Sequence, residues 1–178
     1  MIKWIFLSVI SAVTVLAVYL YFYLGAYKPV EFHVEQAGPF HLLYQNHQGP
    51  YHQIMPKIQA AEAWAREHHL PCPRTYGEYL DDPQGVDQDR LRSHAGCLLG
   101  SVPGEKPPAS FTYEERPERR YAVARFTGSP SIGPFKVYPK LEAFLQRERL
   151  ASSPDPVIEI YRINGDQVET EYLFPLAN

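Results

Sequence analysis

Glu159 and Tyr161 alternate with Ile158 and Ile160 in the run VIEIYRI near the C-terminus. In an extended chain successive side chains point to opposite faces, so the carboxylate and the phenol share one face and the isoleucines the other. The isoleucines suit the side that a helix covers, which puts Glu159 and Tyr161 on the open face. A carboxylate among aromatic rings can hold a lipophilic cation, by its charge and by cation–π attraction. On an exposed edge the same Glu159 would pair with Arg162 or a cross-strand neighbour and contribute only about 0.5 kcal/mol. The other reactive residue types offer less. Ser129 and Ser131 lie in a polar turn without a G-x-S-x-G context. His41, His47 and His52 have no ligand spacing, and the adjacent His68 and His69 diverge and suit a helix C-terminus. No C-x-x-C-H occurs, so no metal, haem or other cofactor is expected. Cys72 and Cys97 could pair in an oxidising compartment or remain two partly buried thiols.

The elements that must hold these residues follow from periodicity. Phe32–Glu35 and Phe40–Gln45 read as short strands. From Tyr51 to His69, Ile54, Ile58, Ala61 and Trp64 recur at helical spacing, and Pro71 and Pro73 stop the helix. Thr75–Leu80 and Arg92–Leu99 follow as strands around a turn at Asp81–Gln88. The second half repeats the order: strand Tyr121–Phe126, a polar turn, helix Pro134–Arg149, strand Val157–Ile163, a tight turn Asn164–Gly165–Asp166 and strand Val168–Phe174. Both halves carry Pro-x-Pro after the helix and a Tyr in the next strand, as GEYL and EIYR. The expected fold is therefore α+β, a tandem strand–helix–strand–strand repeat of antiparallel sheets with two helices and a concave surface between the halves. The stretch VPGEKPPASFTYEERPERR reads as the linker between repeats.

Ahead of this domain, Trp4 to Leu24 form 21 residues without a charge. As a helix they cover roughly 30 Å, the thickness of a bilayer's hydrocarbon core. Trp4 at one end and Tyr19, Tyr21 and Tyr23 at the other resemble interfacial belts, closed by Lys3 and Lys28. The run is too long for the core of a cleaved signal peptide and lacks a small-x-small site after it. Residues 1–28 are thus expected to anchor the chain in a lipid bilayer through Trp4–Leu24, with 29–178 as one domain. Lys3 and the terminal amine before the anchor, against Lys28, Glu31 and Glu35 just after it, lean toward a translocated domain. A net charge of −3 leaves no basic excess for nucleic acid.

Three stretches, YAVARFTGS, PVIEIYRI and VETEYLFPL, together with the order of elements, resemble the GyrI-like small-molecule-binding domain family. YGEYLDDPQGV, HAGCLLG and the leading anchor resemble a membrane-anchored subgroup typified by an animal receptor of endoplasmic-reticulum phagy. The resemblance covers residues 30–176 and implies binding of a lipophilic, cationic small molecule, sensed or sequestered. It implies that Glu159 points into a pocket at the junction of the repeats, with Tyr161 as an aromatic wall and Glu171 as the matching carboxylate of the last strand. Tyr44, Tyr51 and Phe126 are the further candidate walls. Two alternatives accompany this. Some relatives hydrolyse strained electrophiles, for which Glu159 and Glu171 would serve as acid and base. Otherwise the domain is a membrane-tethered scaffold that presents its Pro-rich loops to a protein. No helix-turn-helix precedes the domain, which speaks against a transcription activator, and no acidic tail follows it, so an autophagy role is not carried over.

Overall fold

A computed structural model of the chain describes residues 2–165 and 167–177. Helix α1, Ile2–Tyr23, is long and apolar enough to cross a membrane, and none of its residues is buried. Ser8 and Thr14 return their hydroxyls to the carbonyls of Trp4 and Ile10, at 2.8 and 2.9 Å, which leaves the helix apolar all round. Eight strands and two more helices follow: β1 Glu31–Ala37, β2 Phe40–Gln48, α2 Met55–Glu67, β3 Arg74–Tyr79, β4 Arg92–Leu99, β5 Thr112–Arg116, β6 Arg119–Thr127, α3 Gly133–Glu148, β7 Val157–Asn164 and β8 Gln167–Pro175. Of the turn expected between β7 and β8, Asp166 lies outside the described residues.

Helix α2 is shorter than its periodicity predicts. Tyr51–Gln53 form a separate 3-10 turn, because Pro56 has no N–H to continue a helix begun at Tyr51 but fits the first turn of one begun at Met55. Ile58, Ala61, Trp64 and Ala65 make its buried stripe. At its end His68 stacks on Trp64 and its Nδ1 bonds the Trp64 carbonyl at 2.8 Å. Cys72 and Cys97 are disulfide-bonded, with Cα atoms 5.6 Å apart, which ties the α2–β3 connection to β4.

All eight strands form one antiparallel sheet in the order β1-β6-β8-β7-β3-β4-β2-β5. The two repeats, β2-α2-β3-β4 and β6-α3-β7-β8, meet where β3 pairs with β7, and there Gly77 lies directly opposite Glu159. The stretch expected to be a linker contributes β5, a correction to the sequence reading. This strand completes the first half by pairing with β2, whereas β1 completes the second by pairing with β6. Only Gly38–Pro39 joins β1 to β2, and only Pro117–Glu118 joins β5 to β6. Two residues cannot span a flat sheet of this width, so the sheet must curl until its margins approach. Phe40 of β2 and Tyr121 of β6 accordingly meet with ring centroids 6.3 Å apart. The two short crossings pack on each other: Gly38, at φ +116, has room for no side chain against the Glu118 backbone.

Curling gives the sheet two dry faces. The inner face gathers Leu42, Tyr44, Tyr76, Val123, Ile158, Ile160 and Leu173. The outer face is covered by α2 over Leu43, Ala95 and Cys97, and by α3 over Ala122, Phe126 and Tyr172. The inner face also buries Glu78, 3 % exposed, which receives Arg116 Nη1 at 2.5 Å and bonds His94 Nδ1 at 2.9 Å. Burial pushes the Glu78 carboxyl up, but these two partners outweigh it and hold the group below its usual range. Arg116→Met should therefore destabilise the fold by about 3 kcal/mol in urea melts, because the carboxylate keeps only His94. Glu78→Gln combined with Arg116→Met should recover much of that loss.

Candidate functional site

Strand β7 runs through the middle of the sheet and is covered on both faces. Alternation pairs Glu159 with Tyr161 as expected, yet the face assignment is reversed. Ile158 and Ile160 enter the inner core, while Glu159 and Tyr161 point to the helix side. The sequence could not distinguish the two, since the curled sheet covers the face that was taken to be open. Glu159 is 4 % exposed. Its Oε1 accepts from Tyr138 Oη of α3 at 3.3 Å, and its Oε2 from Tyr161 Oη at 3.2 Å. Tyr161 Oη in turn bonds Tyr79 Oη of β3 at 2.7 Å. Tyr172 of β8 stands directly opposite Glu159 on the neighbouring strand.

Each neighbour is placed by the fold. Tyr79 and Tyr161 both stand two residues after the central Gly77–Glu159 pair, on equivalent strands of the two repeats, so their hydroxyls converge over the junction. Only glycine fits at 77, because Ile54 and Tyr79 close over it: a Cβ there would come within 3.0 Å of Ile54 and 3.1 Å of Tyr79 Oη. Tyr138 of α3 is 40 % exposed as a residue, but its ring packs edge-on against Tyr172 and Phe174 and its hydroxyl turns inward, so it covers Glu159.

Burial pushes the Glu159 carboxyl up to about 8, and the Tyr161 and Tyr138 hydrogen bonds offset this only in part. No cation contributes to that balance. The phenols of Tyr79, Tyr138, Tyr161 and Tyr172 are held above their ordinary range, by burial first and then by the charge of Glu159. Among the described residues, the hydroxyls of Tyr172, Thr170 and Ser93, and that of Tyr76 on the inner face, are buried without a hydrogen-bond partner. Thr170 opposes Tyr161, and Ser93 opposes Tyr79. Polar atoms left in this state are costly, and Tyr172, Thr170 and Ser93 stand on the face of the sheet that carries Glu159. Two surface hollows, of about 430 and 460 Å³, lie elsewhere, beside Cys72 and beneath the Pro103–Pro107 loop.

Of the other candidates, Tyr51 packs its ring 4.5 Å from that of Tyr79 and donates to the Asp81 carbonyl, at the margin of the cluster. Phe126 is buried under α3 on the same face, beyond Tyr172. Tyr44 and Glu171 are not brought to Glu159. Tyr44 stacks on His94 within the inner face. Glu171, one residue before Tyr172, projects to that face as well and binds Arg125 Nη2 at 2.7 Å. Glu159 and Glu171 therefore cannot serve one substrate as acid and base. Sequence reasoning missed Tyr79, Tyr138 and Tyr172. For Tyr79 the signal was present in the repeat, where GEYL matches EIYR.

Comparison with known proteins matches residues 31–177 to the profile described as the GyrI-like small molecule binding domain. A DNA gyrase inhibitor of Pectobacterium carotovorum is 34 % identical over 77 residues, 42 % of this chain and 50 % of that protein. DNA gyrase inhibitor 2 of Dickeya dadantii is 40 % identical over 60 residues, 32 % of this chain and 38 % of that one. The chain thus spans half or less of the length of these curated relatives. The C-terminal domain of EcmrR shares the fold at TM-score 0.65 and 13 % identity, over 84 % of this chain and 98 % of that domain. The structure of SAV2435 bound to tetraphenylphosphonium does so at TM-score 0.52 and 12 % identity, over 83 % and 94 %.

Proposed function

The chain belongs to the GyrI-like small molecule binding domain family, and from that premise we propose that it binds a lipophilic organic cation at Glu159, between α2 and α3, while α1 holds it in a membrane. The observation that carries this reading is a buried carboxyl that bonds two phenols and, among the described residues, has no cation beside it. Aromatic rings supply the apolar body of such a site and the carboxylate supplies its charge. A lipophilic cation is the occupant that satisfies both. The structural relative carrying tetraphenylphosphonium supports the same ligand class. To admit a ligand the Tyr138 ring must swing away, since it covers the carboxyl. Nothing in the cluster resembles a nucleophile paired with a base, so sensing or sequestering is favoured over turnover.

A membrane setting is supported by the length and apolar surface of α1. The Cys72–Cys97 disulfide supports an oxidising, translocated side.

The test uses the full chain in detergent micelles, warmed with tetraphenylphosphonium, with tetraphenylborate, or with neither. The cation at 100 times its dissociation constant should stabilise the chain by about 2.7 kcal/mol. The anion of the same shape should not. Equal stabilisation by both ions would sink the charged-site reading, as would stabilisation by the cation that survives in Glu159→Gln.

A further inference from the structure

Phe135 and Ile163 are 81 % and 77 % exposed, large apolar side chains that the fold leaves uncovered. Both lie at the end of the domain where α1 arrives. The segment after α1 is bonded into that end: Ser129 N donates to the Leu24 carbonyl at 3.0 Å, and Lys28 Nζ donates to Gln167 Oε1 at 2.7 Å. Lys136 Nζ donates to the carbonyls of Ala26 and Lys28. Lys136 follows Phe135 in α3, and Gln167 pairs with Asn164 beside Ile163. Tyr27, half exposed, packs its ring against Tyr21 and Phe22 of α1, with centroids 6.4 and 5.5 Å away. Phe135 and Tyr138 are three residues apart and so adjoin on one side of α3. An apolar track therefore runs from the end of α1 to the ring that covers Glu159.

We propose that this end of the domain rests on the bilayer that α1 enters, with Tyr27, Phe135 and Ile163 immersed at its surface, and that ligand reaches Glu159 from the lipid along the Phe135–Tyr138 side of α3. The proposal rests on reading α1 as a membrane span. The bilayer is the occupant because the same five residues, Leu24–Lys28, both end the span and are bonded to the elements that carry the apolar side chains. Even fully extended they reach only about 17 Å, and here they are turned. Aromatic and aliphatic side chains at such a boundary are stabilised by the headgroup region. A lipophilic cation concentrates in the same layer.

The experiment keeps the full chain. Wild type in phosphatidylcholine vesicles is first washed with alkaline carbonate, and release by that wash would mean that α1 does not span, whatever the domain surface does. Nitroxide labels are then placed through Phe135→Cys, Ile163→Cys and, at the opposite end of the sheet, Gln84→Cys, with one chain per phosphatidylcholine nanodisc. The two native cysteines are held in the disulfide. Labels at 135 and 163 should be relaxed by oxygen in preference to a water-soluble nickel chelate, several-fold more so than the label at 84. Carbonate resistance combined with equal behaviour at all three sites overturns the surface, including the case in which a second copy of the chain covers it in crowded membranes. Phe135→Ser with Ile163→Ser, both at exposed positions, should slow tetraphenylphosphonium association in nanodiscs at least threefold and leave its dissociation rate unchanged. Unchanged association overturns the lipid route.

Discussion

Glu159→Gln should make the ligand-free protein more stable at pH 8, by about 3 kcal/mol, and should remove most of the fall in stability between pH 5 and 8. An unfolded glutamate gives up its proton near 4.5, whereas in the fold burial keeps that proton up to about 8. Between those values the native state holds more protons than the unfolded state. Stability contributed by the neutral carboxyl is therefore fully present below 4.5, declines as pH rises through the window, and is gone above 8. Over the whole window the loss is on the order of 4 kcal/mol. Gln keeps the neutral shape and the hydrogen-bonding capacity but has no proton to lose. Urea melts of full-length wild type and variant, taken at each unit from pH 5 to 9, give the difference directly and cancel contributions from other groups. Curves that stay parallel would mean that Glu159 titrates like an exposed carboxylate.

The same proton governs ligand affinity. A cation is attracted to the carboxylate and not to the carboxylic acid, so binding must drive the proton off. The dissociation constant of tetraphenylphosphonium should fall about tenfold for each pH unit between 6 and 8, roughly a hundredfold in all, and then level. Calorimetry at pH 7 in two buffers of different ionisation enthalpy should report close to one proton released per cation bound. In Glu159→Gln the affinity should be weaker by about a hundredfold at pH 8 and independent of pH. Constant affinity in wild type would mean that the cation sits elsewhere. The two effects oppose each other in one residue: the charge that would hold a ligand is the charge that weakens the unliganded fold.

Much of the architecture was legible because it is written in periods. Alternation in VIEIYRI and the three-and-four spacing of Ile58, Ala61 and Trp64 each correspond to a single face. Strand β5 escaped because TYEER is a short, charged edge strand that follows a Pro-rich loop and shows no clear alternation. The site was harder. Which face of β7 meets the helices depends on curling of the whole sheet, a consequence of the two short crossings and not of β7 itself. Glu171 shows how narrow the margin is, since one residue separates it from Tyr172, and a step of one moves a side chain to the other face. Tyr138 falls within the helix expected over Pro134–Arg149, and only the packed structure shows its hydroxyl on the carboxyl.

The exchanged first strands bear on where such a fold comes from. A single half would carry a leading strand with no place on its own sheet, and two identical copies would complete each other as a twofold dimer. In that dimer the positions now held by Gly77 and Glu159 would be the same residue, facing itself across the axis. Twin carboxylates there would repel, and twin glycines would bind nothing. Joining the copies in one chain allows them to differ, so a single acid can stand at the centre opposite a glycine over which Tyr79 closes.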